Sequence, residues 1–258
     1  MTEIKKCRTL AVHSYKGGTG KTQIALNMAL LWAKKGLKVC LLDYDFRAPS
    51  IGALLGIDDT PYWINDYLLG SCEIEKVLVD VSTKLGMKGK LLLGLANPSV
   101  NATGQMIGQN EKAQLKSLRR TIDAQNTLPE KYDVDYIIID TSPGPQYSSL
   151  NAVFASDILL IVLRNEKVDI AGTLRMMENI YEGSLGEKAV VINMISPNVD
   201  SVSVQKKLED KLRMPIVGVI LCYCDFAASA GELPLALANP KHGFIEALTT
   251  IGDGILPQ

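Results

Sequence analysis

The sequence predicts an α/β chain built on a doubly wound, mostly parallel sheet with helices on both faces. Three observations predict it. Seven short runs rich in Val, Ile and Leu recur along the 258 residues, several of them continuous rather than alternating. Such continuity is what strands buried on both faces require. Helical patterns separate most of these runs, and strand–helix–strand repetition builds parallel sheets with right-handed crossovers. Finally, a glycine-rich segment, "SYKGGTGKTQ" at 14–23, joins the first apolar run to the first helical pattern.

The elements follow in order. "TLAVHS" at 9–14 is the first strand, and the apolar run "IALNMALLWA" makes 21–35 a helix. "KVCLLDYD" at 38–45 and "KLLLGLA" at 90–96 are strands. The Asn-, Gly- and Ser-rich stretch 96–110 reads as a loop, overlapping a helix expected over about 105–126. "DYIIIDTS" at 135–142, "DILLIVLR" at 157–164, "KAVVINM" at 188–194 and "PIVGVIL" at 215–221 complete the strands. Helices are expected between them at 147–155, 168–182 and 201–212. No repeat, low-complexity tract or linker interrupts the pattern, so one domain is expected over 1–258.

Composition places few limits on function. The chain is 47% hydrophobic and 21% charged with a formal net charge of −1, so no strong overall field favours nucleic acid or anionic lipid. The cysteines number five, an odd count, and Cys7 and Cys40 lie in apolar runs. That suits reduced thiols rather than a disulfide framework. No long apolar segment precedes the glycine loop, and "IALNMALLWA" is too short to span a bilayer. A cytoplasmic location is the expectation.

The glycine loop carries the strongest chemical signal. Gly17, Gly18 and Gly20 permit backbone shapes that turn successive N–H groups toward one anion. The helix beginning near Lys21 adds the positive end of its dipole to the same point. Lys21 is placed to reach β- and γ-phosphates, and the Thr22 hydroxyl to ligate Mg²⁺. Gly17, Gly18, Thr19, Gly20, Lys21, Thr22 and Gln23 are therefore expected to contact nucleotide, in a P-loop NTPase fold.

A second lysine stands five residues before Lys21. The resulting pattern, Lys16-Gly-Gly-x-Gly-Lys-Thr, resembles the deviant phosphate loop of the ParA/MinD family of ATPases. The resemblance covers nearly the whole chain and is most MinD-like. It implies that Lys16 reaches across a dimer interface to the partner's nucleotide. A cation supplied in trans is physically reasonable, since an arginine given to a GTPase contributes roughly 10³–10⁵ in rate.

Two acidic clusters follow. "CLLDYDFRAPS" puts Asp43 and Asp45 at the carboxyl end of a strand, the edge where open α/β sheets bind ligands. By resemblance, Asp45 activates the attacking water and Asp43 belongs to the Mg²⁺ shell. "YIIIDTSPG" supplies Asp140, in the Walker B form, to hold a metal-bound water. Gly144 allows its own N–H to approach the γ-phosphate. MinD relatives place a proline two residues after that aspartate, whereas this chain has Pro143 at three and Pro145 at five. Asn193, ending "VVIN", is read through the family as an adenine contact, its amide both donating and accepting. Ser196 stands where GTP-specific proteins carry an aspartate, and Leu221 where relatives often have a base-packing proline.

The resemblance therefore implies a Mg²⁺-dependent ATPase that forms an ATP-dependent homodimer and answers to an activating protein. The cycle would position or partition a cargo. Charge patterns give little for DNA or membrane contact. The tail stripe Phe244, Ala247, Leu248 and Ile251 lacks the cationic flanks of a membrane helix and reads as core packing. Lys206, Lys207, Lys211 and Arg213 are diluted by Glu209 and Asp210, a pattern suited to a solvated helix face. Two alternatives keep the fold. Cys222 and Cys224 raise an iron–sulfur cluster carrier, although carriers in this superfamily use Cys-x-x-Cys elsewhere in the chain. A monomeric enzyme like dethiobiotin synthetase would lack the extra lysine.

Overall fold

The computed structural model describes residues 7–223 and 234–256. Its centre is β1 (Arg8–His13), flanked by β5 (Tyr136–Thr141) and β6 (Ile158–Arg164). The sheet continues outward through β2 (Lys38–Tyr44) and β4 (Lys90–Gly94) on one side. On the other side lie β7 (Glu187–Ile195) and β8 (Ile216–Leu221). A short β3 (Leu78–Asp80) closes the β4 edge, and the eight strands run in the order β3-β4-β2-β5-β1-β6-β7-β8. Only β3 is antiparallel to its neighbour. All seven expected strands are present, and β3 is the addition. Its three residues are too short for a periodic signal.

Alternation along each central strand divides the core. Tyr136 and Ile138 of β5 face one side, while Ile137 and Ile139 face the other. The first side is covered by α1 (Lys21–Lys34), α10 (Leu235–Ala238) and α11 (Gly243–Ile255). α1 is buried from Ile24 to Leu30 without a break, because it lies between the sheet and these two helices. A helix wetted on no side needs no polar stripe. Its buried Asn27 is satisfied: Oδ1 accepts from the Ala236 N–H at 2.8 Å and Nδ2 donates to the Gln23 carbonyl at 2.8 Å. Phe244, Leu248 and Ile251 of α11 are buried in this layer, as core packing requires.

The opposite face carries α6 (Glu111–Tyr132), α7 (Tyr147–Ala155), α8 (Lys167–Asn179) and α9 (Ser201–Leu212). Two expectations change here. Residues 96–110 are not simply a loop, since α5 (Val100–Ile107) occupies most of them. The helix expected over 105–126 is instead two helices. Ser99 caps α5 by accepting from the Ala102 N–H at 3.3 Å, and Asn110 caps α6 by accepting from the Ala113 N–H at 3.0 Å. Each cap satisfies an otherwise orphaned first-turn amide, so Asn110 starts a new helix rather than continuing the old one. Single-turn or short helices α2 (Ile51–Leu54), α3 (Ile64–Leu69) and α4 (Ile74–Val77) fill the β2–β3 crossover. α8 ends at Asn179, before a separate 3-10 turn at Tyr181–Gly183.

Among the described residues no helix is long and apolar enough to cross a membrane.

Candidate functional site

The carboxyl ends of β1, β2 and β5 meet at one point, and register explains why. Val12 pairs with Asp140, and Asp43 pairs with Asp140, so the two carboxylates stand abreast beside the exit of β1. From that exit the chain enters the glycine loop. The Ser14 hydroxyl donates to the Lys16 carbonyl at 2.7 Å and tightens the turn. Tyr15 lies against α8, where a Cβ at Gly172 would come within 2.0 Å of its ring. Gly20 has φ +88°, in the left-handed region, and a Cβ there would lie 2.5 Å from the Asn193 amide nitrogen. Gly20 is also the N-cap of α1 and offers no side chain to its first-turn amides. Those amides and the helix dipole are therefore available to an external anion.

Lys21 is buried at this spot, and burial lowers its pKa, opposed by the nearby charges of Asp140, Asp45 and Asp169. Asp140 is fully buried and neither of its oxygens has a hydrogen-bond partner. Desolvation lifts its pKa to about 7, held from rising further by the adjacent Thr22 hydroxyl and Lys21. Asp43 is likewise raised well above the usual carboxylate range, by burial first and then by Asp140. Two buried carboxylates side by side, with both oxygens of Asp140 unpartnered, make a site that gains by receiving a cation. Thr22 begins the same turn. The residue set expected to hold Mg²⁺, namely Thr22, Asp43 and Asp140, is thus gathered in one place, and its donor chemistry fits a hard divalent ion.

Asp45 lies just beyond β2. Its Oδ1 accepts from the Ser142 hydroxyl at 2.8 Å and from the Arg47 and Ala48 N–H groups at 3.3 and 3.2 Å. Asp43 Oδ1 accepts from the Asp45 N–H at 3.0 Å. Gly144, at φ +73°, donates its N–H to the Ser14 carbonyl at 2.8 Å, so the amide expected to meet a phosphate is here tied to the loop's entry. Lys16 is half-exposed and pairs with Glu166 at 3.4 Å, and Glu166 also accepts from Arg164 at 3.1 Å. Such exposed pairs contribute roughly 0–1 kcal/mol, so the lysine is only lightly held.

Away from the phosphates, a cleft of about 210 Å³ is lined by Gly20, Gln23, Asn193, Met194, Leu221, Cys222, Tyr223 and Phe244. The Asn193 side chain is engaged at both ends. Its Nδ2 donates to the Thr19 carbonyl at 2.8 Å, and its Oδ1 accepts from the Met194 N–H at 2.9 Å. Met194 takes φ +58°, uncommon for a non-glycine residue, and lines the same cleft. Cys222 is exposed in the cleft wall, whereas Cys224 lies outside the described residues. On α9, Lys206, Lys207 and Lys211 share an open surface with Ser203 and Asp210.

Sequence reasoning missed Ser142, Glu166, Met194 and Tyr223. Ser142, two residues after Asp140, had the only sequence signal: a hydroxyl in the position where relatives carry proline.

Comparison with known proteins finds relatives across most of the chain. A family model described as an AAA domain matches residues 7–214. An uncharacterized ATP-binding protein of Methanocaldococcus jannaschii is 27% identical over 249 residues, covering 96% of this chain and 87% of that protein. The septum site-determining protein MinD of Synechocystis sp. is 28% identical over 217 residues, covering 83% and 75%. Among solved structures, MinD from Pyrococcus horikoshii OT3 complexed with Mg-ADP superposes with a TM-score of 0.78 at 18% identity, covering 96% of each chain. At that identity the superposition speaks to fold. The matched family, the eight-stranded sheet and the two-lysine loop together make this chain a MinD-like member of the ParA/MinD family of phosphate-loop ATPases.

Proposed function

We propose that this chain binds ATP with Mg²⁺, dimerises when it does so, and hydrolyses the nucleotide to end the dimeric state, acting as one catalytic domain. The observation that carries the reading is the meeting of an uncapped helix start, a buried Lys21 and two adjacent buried carboxylates, one of them, Asp140, with both oxygens unpartnered. Lys21 neutralises the β- and γ-phosphates, while Gly17, Gly18, Thr19, Gly20 and Gln23 shape the backbone around them. Thr22, Asp43 and Asp140 would hold Mg²⁺, directly or through water. Mg²⁺ supplies charge neutralisation across the phosphate oxygens. Among the described residues no cluster of three or more His, Cys, Asp or Glu is poised as a cage, and Mg²⁺ commonly completes its shell with phosphate oxygens and water. Asp45 accepts the proton of the attacking water. The apolar cleft receives the base, with Asn193, tied to Thr19 and Met194, forming part of its wall.

Lys16 exchanges its own Glu166 for the partner's nucleotide. Because the Lys16–Glu166 pair is exposed and weak, the exchange costs little. The family resemblance supports a cycle that positions or partitions a cargo, with an activating protein setting the rate. Light scattering with ADP and with ATP tests this directly. Wild type should be monomeric with ADP and dimeric with ATP and Mg²⁺. Lys16→Ala should still bind ATP but turn over at least about 10²-fold more slowly, given the scale of a cation supplied in trans. A wild-type monomer at saturating ATP, or normal turnover in Lys16→Ala, would overturn the reading. Repeating the sizing with DNA and with anionic liposomes separates the surfaces on which such a dimer could act.

A further inference from the structure

We propose that Ser142 is a positioning residue for hydrolysis, fixing the carboxylate of Asp45 so that one oxygen is left free to take the proton of the attacking water. The proposal rests on the reading of Asp45 given above. Asp45 Oδ1 collects three hydrogen bonds. Two come from amides only two and three residues away, at 3.3 and 3.2 Å, and anchor the carboxylate to nothing but its own turn. The third and shortest, 2.8 Å, comes from Ser142, across 97 residues of sequence. Oδ2 accepts no hydrogen bond among the described residues.

Ser142 is itself well fixed. It is buried, and its carbonyl accepts from the Ser149 hydroxyl in the first turn of α7 at 2.8 Å. A serine hydroxyl has a single proton to donate. Its other acceptor, the Tyr44 carbonyl at 3.5 Å, is at the limit of hydrogen-bond distance, so the proton belongs to Asp45. A carboxylate held at one oxygen from outside its own turn has its second oxygen oriented. The bond also ties Asp45 to the loop that carries Gly144. A second brace, from Arg47 to Gln146 at 2.9 Å, joins the same two loops. Movement of the 142–146 loop in response to a phosphate is thereby passed to Asp45. In the step itself, water gives its proton to Oδ2 and its oxygen to the γ-phosphorus. The bond from that phosphorus to the bridging oxygen of ADP breaks, and Ser142 keeps its proton throughout.

Single-turnover hydrolysis and ATP affinity, measured on the full chain with Mg²⁺, test this through four proteins: wild type, Ser142→Ala, Asp45→Asn and the double variant. A hydrogen bond to an ionised group is lost, so Ser142→Ala should lower the hydrolysis rate about 10- to 100-fold while ATP affinity stays within about twofold. On the Asp45→Asn background the same change should have no further effect. Ser142→Cys, nearly isosteric but a weak donor, replaces the alanine variant if that protein does not fold. Unchanged turnover in Ser142→Ala, with Asp45→Asn impaired, overturns the role of Ser142 and leaves that of Asp45 standing. Losses that multiply in the double variant, or affinity that falls in step with rate, also overturn it. Wild-type turnover in Asp45→Asn removes both.

Discussion

The two ends of the nucleotide site are built from different materials. At the phosphate end, charge is buried against charge: Lys21 near Asp140, with Asp43 abreast of that carboxylate, under a loop whose amides have no side-chain cap. At the base end, the cleft is walled by Met194, Leu221, Tyr223 and Phe244, with Asn193 facing inward to the loop. The phosphate end tolerates few residue types because each must supply a particular charge or a particular backbone angle. The base end asks mainly for apolar surface at the right distance, which many residues provide.

Breaking the phosphate end should have the largest effect. Lys21→Ala removes the buried cation, so ATP affinity measured by calorimetry should fall more than about 100-fold, since charge-assisted contacts to phosphate carry much of the binding. Retained affinity would mean that the backbone amides alone suffice.

A pH experiment sharpens the same end. His13, under the loop, is held neutral by burial and then by the charge of Lys21, with its pKa pushed down to about 3. Its Nδ1 and the Thr141 hydroxyl are 2.8 Å apart, and that hydroxyl donates to the Val12 carbonyl, so Nδ1–H is the donor to it. Between about pH 3 and the ordinary histidine value near 6.5, the unfolded chain binds a proton there that the folded chain refuses. The His13 contribution to stability is therefore lost as pH falls through that window, by about 2 kcal/mol between pH 7 and pH 5, while the raised Asp140 and Asp43 act in the opposite sense in any variant that keeps them. Over that interval the melting temperature of wild type should fall relative to that of His13→Gln by roughly 4–8 °C. Equal slopes in the two proteins would mean that the imidazole titrates normally.

The base end should yield least. Asn193→Ala leaves the Thr19 carbonyl without its donor and frees Met194 from its cap, so ATP affinity should weaken only about tenfold, on the scale of a lost neutral hydrogen bond. A loss as large as that of Lys21→Ala would erase the distinction between the two ends.

Legibility in the sequence follows the same division. Every central strand was readable, because burial on both faces leaves continuous runs such as "IIID" in β5. The meeting of Lys21 with Asp43 and Asp140 was readable because each stands at or beyond the carboxyl end of a buried strand, at the same sheet edge. The break between α5 and α6 was not, since it depends on two caps of ordinary polar type, Ser99 and Asn110. Nor were the links of Ser142 to Asp45 and of Lys16 to Glu166, which join residues 97 and 150 positions apart. Periodicity carries no information at that range. Asn193 was noticed for its amide, but its tie to Thr19 exists only once β7 and the loop are brought side by side.

Strand order has a consequence for how nucleotide leaves. The loop hangs from β1, in the middle of the sheet, while much of the cleft wall follows β8, the last strand. Amides in the middle of a sheet exchange with solvent only when the whole domain opens, whereas a margin frays on its own. Deuterium should therefore enter 216–221 well before 9–12. With nucleotide seated as proposed, its base end rests against the margin that frays first and its phosphates against the strand that opens last, so the base should loosen before the phosphates.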